Sequence, residues 1–230
     1  MYKIRVKFTK NGMLKYISHL DTMRMLRRNF QKAGIPVSMS QGFNPHPKFS
    51  LAQPLSIGLE SYGEYFDLEL DEKIDCDIFK STLNEVLPTQ VRIVKAEYIE
   101  QNEKPAMSLI MWAKYGIQIK YKLEKEDIEN KIESFLAQEE IIIRQTRKKK
   151  GKWQTKLKNI RPGIVNVKYR YCEEGITLIE VMLNTGSKDN IRIDDFINAF
   201  GQFYNIEKEN MQGIRFEMYR DKNGEAIPLI

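Results

Sequence analysis

Hydrophobic periodicity in this chain switches between two residues and 3.6 residues in a fixed order, and the order recurs. That recurrence limits the fold more than any single motif does. Residues 2–8 alternate Tyr2, Ile4, Val6 and Phe8 with Lys3, Arg5 and Lys7, which predicts a half-buried strand with a basic outer face. Asn11-Gly12 is a turn signal, and residues 14–17 read as a short strand, a return from it or a continuation. Ser18 is placed to cap a helix, with Asp21 at the acid position of a capping box. Met23, Leu26, Phe30 and Ala33 follow helical spacing, and Gly34 and Pro36 end the helix. Residues 35–43, 51–59 and 64–70 read as strands, 76–87 as a helix stopped by Pro88, and 91–99 as a closing strand.

The polar break at 101–105 is followed by a similar series. A strand is expected over 109–123, a helix over 125–138 and a strand over 141–145 that enters a basic stretch. A hairpin over 165–171 and 176–183, a helix over 193–204 and a strand over 214–219 follow. Both halves were matched to the β-α-β-β-α-β order, so the expected class is α+β: tandem ferredoxin-like domains over 1–104 and 105–230.

Charge is segregated along the chain. Residues 1–50 carry ten Lys/Arg and one acid, Asp21; residues 141–172 carry eleven Lys/Arg and none. With a net charge of +6, the remainder is acidic. Segregation of this kind is the footprint of a polyanion binder; the plainer alternative is a set of solvated faces balanced by acids nearby in space. Carboxylates over 64–77 alternate along a strand and into a turn, which reads as a solvated acidic face. No apolar run is long enough for a membrane span, and the N-terminus lacks a signal-peptide pattern. Cys76 and Cys172 form no Cys-x-x-Cys pair, so no thiolate cluster or cofactor site is expected; a cytoplasmic protein is.

Two groups of residues stand out. In the first half, His19, Asp21, Arg24, Arg27 and Arg28 share one helix, with Asp21, Arg24 and Arg28 on the face opposite the apolar stripe. A stiff loop follows with Gln41, Gly42, Asn44, His46 and Lys48. Backbone N–H groups at the helix start and around Gly42 suit a phosphate, so this group reads as an RNA-backbone site. His19 and His46 are the candidates for an acid or base. The plain alternatives are that Asp21 only caps the helix and pairs with Arg24, that His19 bonds the adjacent loop, and that His46 is a turn residue. A metal held by the two histidines and Asp21 is a weak reading.

The second group is Arg144, Arg147, Lys148, Lys149, Lys150, Lys152, Trp153, Lys156, Lys158 and Arg161. Gly151 and the charge density suggest a loop over 144–161, or an extended hairpin arm. An indole among cations can stack on a base while lysines track phosphates; alternatively Trp153 packs onto the sheet. The dinucleotide-binding, phosphate-loop, hydrolase and metalloprotease signatures are missing.

The blocks Tyr16-Ile-Ser-His-Leu-Asp-Thr-Met-Arg, Arg27-Arg28, Ser40-Gln-Gly-Phe-Asn-Pro-His-Pro-Lys and Leu55-Ser-Ile-Gly-Leu-Glu-Ser resemble the radical-SAM-linked family, a bacterial domain of unknown function. The likeness covers most of the chain and is most specific over 14–70. Asn159-Ile-Arg-Pro resembles that family's Arg-Pro block, with Asn159 where an acid is often seen. The resemblance implies a radical-SAM protein as partner and a tRNA or rRNA context, with this chain as the accessory module. A looser likeness, of fold alone, is to CRISPR repeat-processing endoribonucleases. Three readings follow: an RNA-binding accessory module, an RNA-processing or RNA-modifying enzyme using His19 or His46, and a protein–protein adaptor docking through the acidic strand or the basic arm.

Overall fold

The computed structural model describes residues 1–149, 151–186 and 189–230; side chains of 147–149 and 152 are outside that description. In chain order the elements are β1 (Tyr2–Lys10), α1 (His19–Lys32), β2 (Phe49–Leu51), β3 (Glu60–Leu70), α2 (Cys76–Val86), β4 (Val91–Ile99), α3 (Ala106–Leu109), β5 (Ile110–Ile119), α4 (Lys125–Leu136), β6 (Ile142–Lys149), β7 (Lys152–Asn159), β8 (Ile164–Glu173), β9 (Ile176–Asn184), α5 (Ile193–Tyr204), β10 (Met211–Lys222) and β11 (Glu225–Pro228). The fold is mixed α+β, with five α-helices and mostly antiparallel strands among the described residues. The chain divides into two units, Met1–Met111 with Arg215–Ile230, and Trp112–Ile214.

In the first unit the strand order is β4-β1-β3-β10, with β2 on β3 and β11 on β10. The alternation of β1 behaves as its pattern predicts on one side. Ile4, Val6 and Phe8 are buried in a core with Leu26 and Phe30 of α1 and Phe79 and Leu83 of α2. Phe30, Phe49 and Phe66 meet there with ring centroids 5.3–5.6 Å apart, the range favoured by aromatic pairs.

The other side of β1 is not a solvated basic face. Arg5 is fully buried and donates two hydrogen bonds to Asp67, at 2.8 and 3.1 Å. Lys7 pairs with Glu217 on β10. The acidic strand is likewise internal: Glu64 is buried against Arg215, and Asp67 also accepts from the Ala106 N–H at 2.8 Å. Those acids therefore cannot form the exposed docking face expected from their alternation. Long-range pairing, invisible to a local pattern, took Arg5, Glu64 and Asp67 inside, whereas Lys3, Lys7 and Glu69 are half-buried and Asp71, Glu72, Asp75 and Asp77 stay exposed as the acidic pattern predicts.

Three expected strands differ. Residues 12–16 form a short 3-10 turn, entered through Gly12 at φ +55°. Residues 35–43 make only isolated bridges, Val37 to Leu70 and Met39 to Pro47, because Pro36 lacks an N–H and the loop at 41–44 breaks the run. Of 51–59, only Leu51 is in a strand; Pro54 and Gly58 (φ +91°) prevent continuation.

In the second unit β5, β9 and β8 form an antiparallel sheet in the order β5-β9-β8. Glu174 and Gly175, both at positive φ, make the tight β8–β9 turn. Ile128, Ile132 and Phe135 of α4 and Phe196 and Phe200 of α5 fill the core, with Phe196 and Phe200 stacked at 5.5 Å. The strand expected at 141–145 does not join this sheet. It continues to Lys149 and pairs with β7 in a separate two-stranded sheet, turning at Gly151 (φ +80°). The basic stretch is thus the hairpin arm, not a loop. Strands this rich in lysine have little to gain from a buried sheet, and they satisfy their backbone groups by pairing with each other.

Candidate nucleic-acid interface

The first-unit residues are held by local contacts. Ser18 caps α1: its Oγ accepts from the Asp21 N–H at 3.1 Å and donates to Asp21 Oδ2 at 2.6 Å. Arg24 Nη1 donates to Asp21 Oδ1 at 2.9 Å. The Ser18 hydroxyl, and then Arg24, hold the Asp21 carboxyl below the usual carboxylate range. Asp21 therefore serves as cap and ion-pair partner, on an exposed face shared with Arg24 and Arg28. Arg27 is half-buried on the shoulder, with its Nε unpartnered.

The loop at 40–46 is closed by a staple. The Ser40 N–H donates to the His46 carbonyl at 2.8 Å, the His46 N–H to Ser40 Oγ at 3.1 Å, and His46 Nδ1 lies 2.8 Å from the same hydroxyl. Gln41, Asn44 and His46 stand exposed on this loop, while Lys48 pairs with Glu69 at 3.0 Å. Gly42, at φ +123°, is a conformation that essentially only glycine adopts. Phe43 is fully exposed beside it. It escaped the sequence reading, although an aromatic in a Gly/Asn/Pro loop with no periodic partner is a signal for such a residue.

Among the described residues the two histidines share no hydrogen-bond partner. His19 is half-buried near Lys10 and Glu64, and desolvation of the imidazole holds its pKa below the ordinary value; Glu64 opposes that shift and Lys10 adds to it. Lys10 is itself buried and pushed down by desolvation, beside Glu64 and Arg215. This buried group also escaped the sequence reading, because its members lie on β1 and on two strands far along the chain. Among the described residues no three His, Cys, Asp or Glu come together as a metal site. Cys76 and Cys172 are free thiols, and no helix of the described residues is long and apolar enough to cross a membrane.

The hairpin is organised by its register. Cross-strand partners share a face, so Ile142/Asn159, Arg144/Leu157 and Thr146/Thr155 lie on one side, together with Trp153 two residues before Thr155. On that side Trp153 is 71% exposed and Leu157 61%, with Ile142, Arg144, Thr146 and Thr155 also exposed. Trp153 does not pack onto a sheet. The opposite side is anchored at its base: Ile143 is buried, Gln145 donates to Asp195 of α5 at 2.8 Å, and Lys158 pairs with Asp189 at 3.1 Å.

Asn159 Oδ1 accepts from the N–H groups of Ile141 and Arg161, both at 3.0 Å, and staples the arm's root. Both bonds use the position as an acceptor. Arg161 donates to the carbonyl of Leu136, at the end of α4, at 2.8 Å and to that of Ile164 at 3.3 Å; it fastens the arm to a helix C-terminus. Arg144 and Lys156 make no ion pair among the described residues. Lys150 lies outside the described residues, as do the side chains of Arg147, Lys148, Lys149 and Lys152.

Residues 3–193 match a family described as an uncharacterized protein conserved in bacteria (DUF2344), a description that mentions neither a partner nor a reaction. No curated protein matches the sequence. Similar solved structures include a Cbf5-Nop10-Gar1 complex, at 10% identity and a TM-score of 0.50, covering 95% of this chain and 50% of that one. Others are the archaeal box H/ACA sRNP Nop10-Cbf5 complex (9%, 0.45, 93% and 47%) and an H/ACA RNP bound to a substrate RNA containing 2'-deoxyuridine (10%, 0.46, 97% and 48%). The chain spans about half the length of these neighbours. The first likeness is one of fold alone, and the other two carry no argument.

Proposed function

The chain belongs to that bacterial family, described as an uncharacterized conserved protein (DUF2344), and from this premise we propose that it is an RNA-binding accessory module whose grip is the β6–β7 hairpin. One observation carries the reading: an exposed Trp153 with Arg144 on the same face of the strand pair, and Lys156 on the other face, neither cation having an acidic partner among the described residues. A ring that can stack on any base, set among cations that follow a sugar-phosphate backbone, is the arrangement single-stranded nucleic acid requires. Arg147, Lys148, Lys149, Lys150 and Lys152 add charge to the same arm. The exposed loop and helix face of the first unit, with Arg24, Arg28, Gln41, Asn44 and His46, are assigned a second, weaker contact.

Fluorescence anisotropy of a labelled 20-nucleotide single-stranded RNA tests the assignment. Affinity is expected to fall at least about tenfold between 50 and 200 mM salt. Replacing Arg144, Lys148, Lys149, Lys152 and Lys156 by Gln is expected to flatten that dependence, by about 0.7 in the log–log slope for each lost phosphate contact. Absence of binding at low salt would remove the proposal.

The radical-SAM partner and the cytoplasmic setting are part of the same proposal. The first rests on the motif blocks alone, the second on two free cysteines suited to a reducing compartment. Co-purification with a radical-SAM protein, insensitive to nuclease, is the result expected of that partnership. A second reading, RNA processing, is favoured only by His19, a half-buried imidazole beside Lys10 and Glu64; RNA turnover that vanishes in His19→Ala would establish it.

Within this reading each unit is ferredoxin-like. The order β4-β1-β3 with β2 on β3 supports the first, and β5-β9-β8 with α4 and α5 supports the second, once the β6–β7 hairpin is counted as an insertion.

A further inference from the structure

At the root of the hairpin, β6 and α5 enclose a cleft of about 390 Å³ lined by Ile142, Ile143, Arg144, Asp195, Asn198, Ala199 and Gln202. Its floor is apolar and small-sided: Ile143 and Ala199 are buried. One wall is the edge of β6 that faces away from β7, and among the described residues that edge pairs with no strand. The other wall is α5, where Asn198 and Gln202 stand one helical turn apart on one face, exposed and with no side-chain hydrogen bond among the described residues. Asp195 is not available to a ligand in the same way. Its oxygens are taken by Gln145 at 2.8 Å and Arg192 at 2.9 Å.

Two neutral amides over an apolar floor, with one cation at the mouth, form an unusual wall beside so basic an arm. A phosphate site would present more charge. A purely apolar ligand would leave both amides unsatisfied, a loss for any buried polar group. Each amide offers a donor and an acceptor side by side, the pattern displayed by the hydrogen-bonding edge of a base. The volume lies near the lower end of ligand-sized clefts, enough for one base and too small for a duplex.

We infer that this cleft receives one unpaired base of a single-stranded RNA held by the hairpin, with Asn198 and Gln202 reading its edge and Arg144 taking the adjoining phosphate. The inference rests on the RNA reading above and gives it what the lysines lack, a means of telling bases apart. The hairpin fixes where the strand runs; the α5 amides decide which base is accepted. Sequence reading placed Ile193–Tyr204 as a core helix and found no signal in Asn198 and Gln202, since polar residues on a helix's outer face are ordinary.

Labelled ten-nucleotide strands of oligo(A), oligo(C) and oligo(U) at one salt concentration test this by anisotropy. Wild-type protein is expected to rank the three with a spread of about 5- to 150-fold in Kd. The double variant Asn198→Ala/Gln202→Ala is expected to collapse the ranking while keeping the salt dependence. Both side chains are exposed and alanine favours a helix, so circular dichroism melting is expected to be unchanged. If wild-type protein binds the three strands equally, or the ranking survives in the double variant, the cleft assignment is overturned while the hairpin reading stands. A peptide strand added to the open edge of β6 would give that outcome. If no strand binds at low salt, the RNA reading itself fails.

Discussion

Residues 1–50 and 141–172 carry ten and eleven basic side chains, and nothing in their composition distinguishes what becomes of the charge. In the first segment Arg5, Lys7, Lys15, Arg24 and Lys48 each find an acid, and Lys10 is buried near Glu64. Four of those acids, Asp67, Glu217, Glu60 and Glu69, lie well over a dozen residues from their partners in sequence. In the second segment Lys158 and Arg170 are paired and Arg161 holds carbonyls, whereas Arg144 and Lys156 stand on the hairpin without an acid among the described residues. Much of the first run is thus part of the internal architecture, although the exposed Arg28 and Lys32 also lack an ion pair among the described residues, whereas the hairpin run keeps Arg144 and Lys156 at the surface. Local net charge does not decide between them; the distance to an acid in space does.

The largest expected effect probes the neutralised region. Arg5→Met leaves Asp67 buried with only the Ala106 N–H as a donor, and a buried pair broken on one side costs about 3–5 kcal/mol. Urea unfolding checks this. A change below about 1 kcal/mol would mean that the Asp67 carboxylate reaches water and that the two regions differ less than their burial implies. In the hairpin, Trp153→Ala is expected to weaken single-stranded RNA by about 1–3 kcal/mol with an unchanged salt slope, since stacking releases no counterions. Its stability is expected to stay within about 0.5 kcal/mol of wild type, as for other exposed positions. A changed slope would show that the indole orders the cations rather than stacking.

The smallest effect concerns His19. Because burial lowers its folded-state pKa, the unfolded chain takes up the proton first as pH falls through the ordinary value of 6.5, and stability declines. His19→Gln is expected to flatten the stability profile between about pH 7 and pH 5, read by chemical denaturation at each pH. An unchanged profile would place the imidazole in water and remove the case for a catalytic role.

Much of the fold was legible because the forces behind it are local. Tyr2, Ile4, Val6 and Phe8 declare a strand by period, Ser18 and Asp21 declare a helix start by capping chemistry, and the apolar runs at 165–171 and 176–183 around Gly175 declare a hairpin. The runs at 35–43 and 51–59 are apolar but interrupted by Pro36, Pro54 and Gly58, where a missing N–H or a positive φ overrides periodicity. The hairpin was legible as composition and ambiguous as structure. Its turn at Gly151 carried the clue, but an acid-free lysine run suits a loop equally well. Asn198 and Gln202 were not legible at all, because an amide on an outer helix face gains meaning only from what stands opposite it.

The sequence by itself determined where the four long helices and most of the strands lie, that basic residues gather in two stretches, and that Trp153 sits among cations. Tertiary structure decided which cations are free. It paired Arg5 with Asp67 across 62 positions and Arg215 with Glu64 across 151, and it left the hairpin to pair with itself. Periodicity and capping act over a few residues and are written in the local sequence. Coulomb attraction and desolvation act through space, so their outcome waits for the fold to bring charges together.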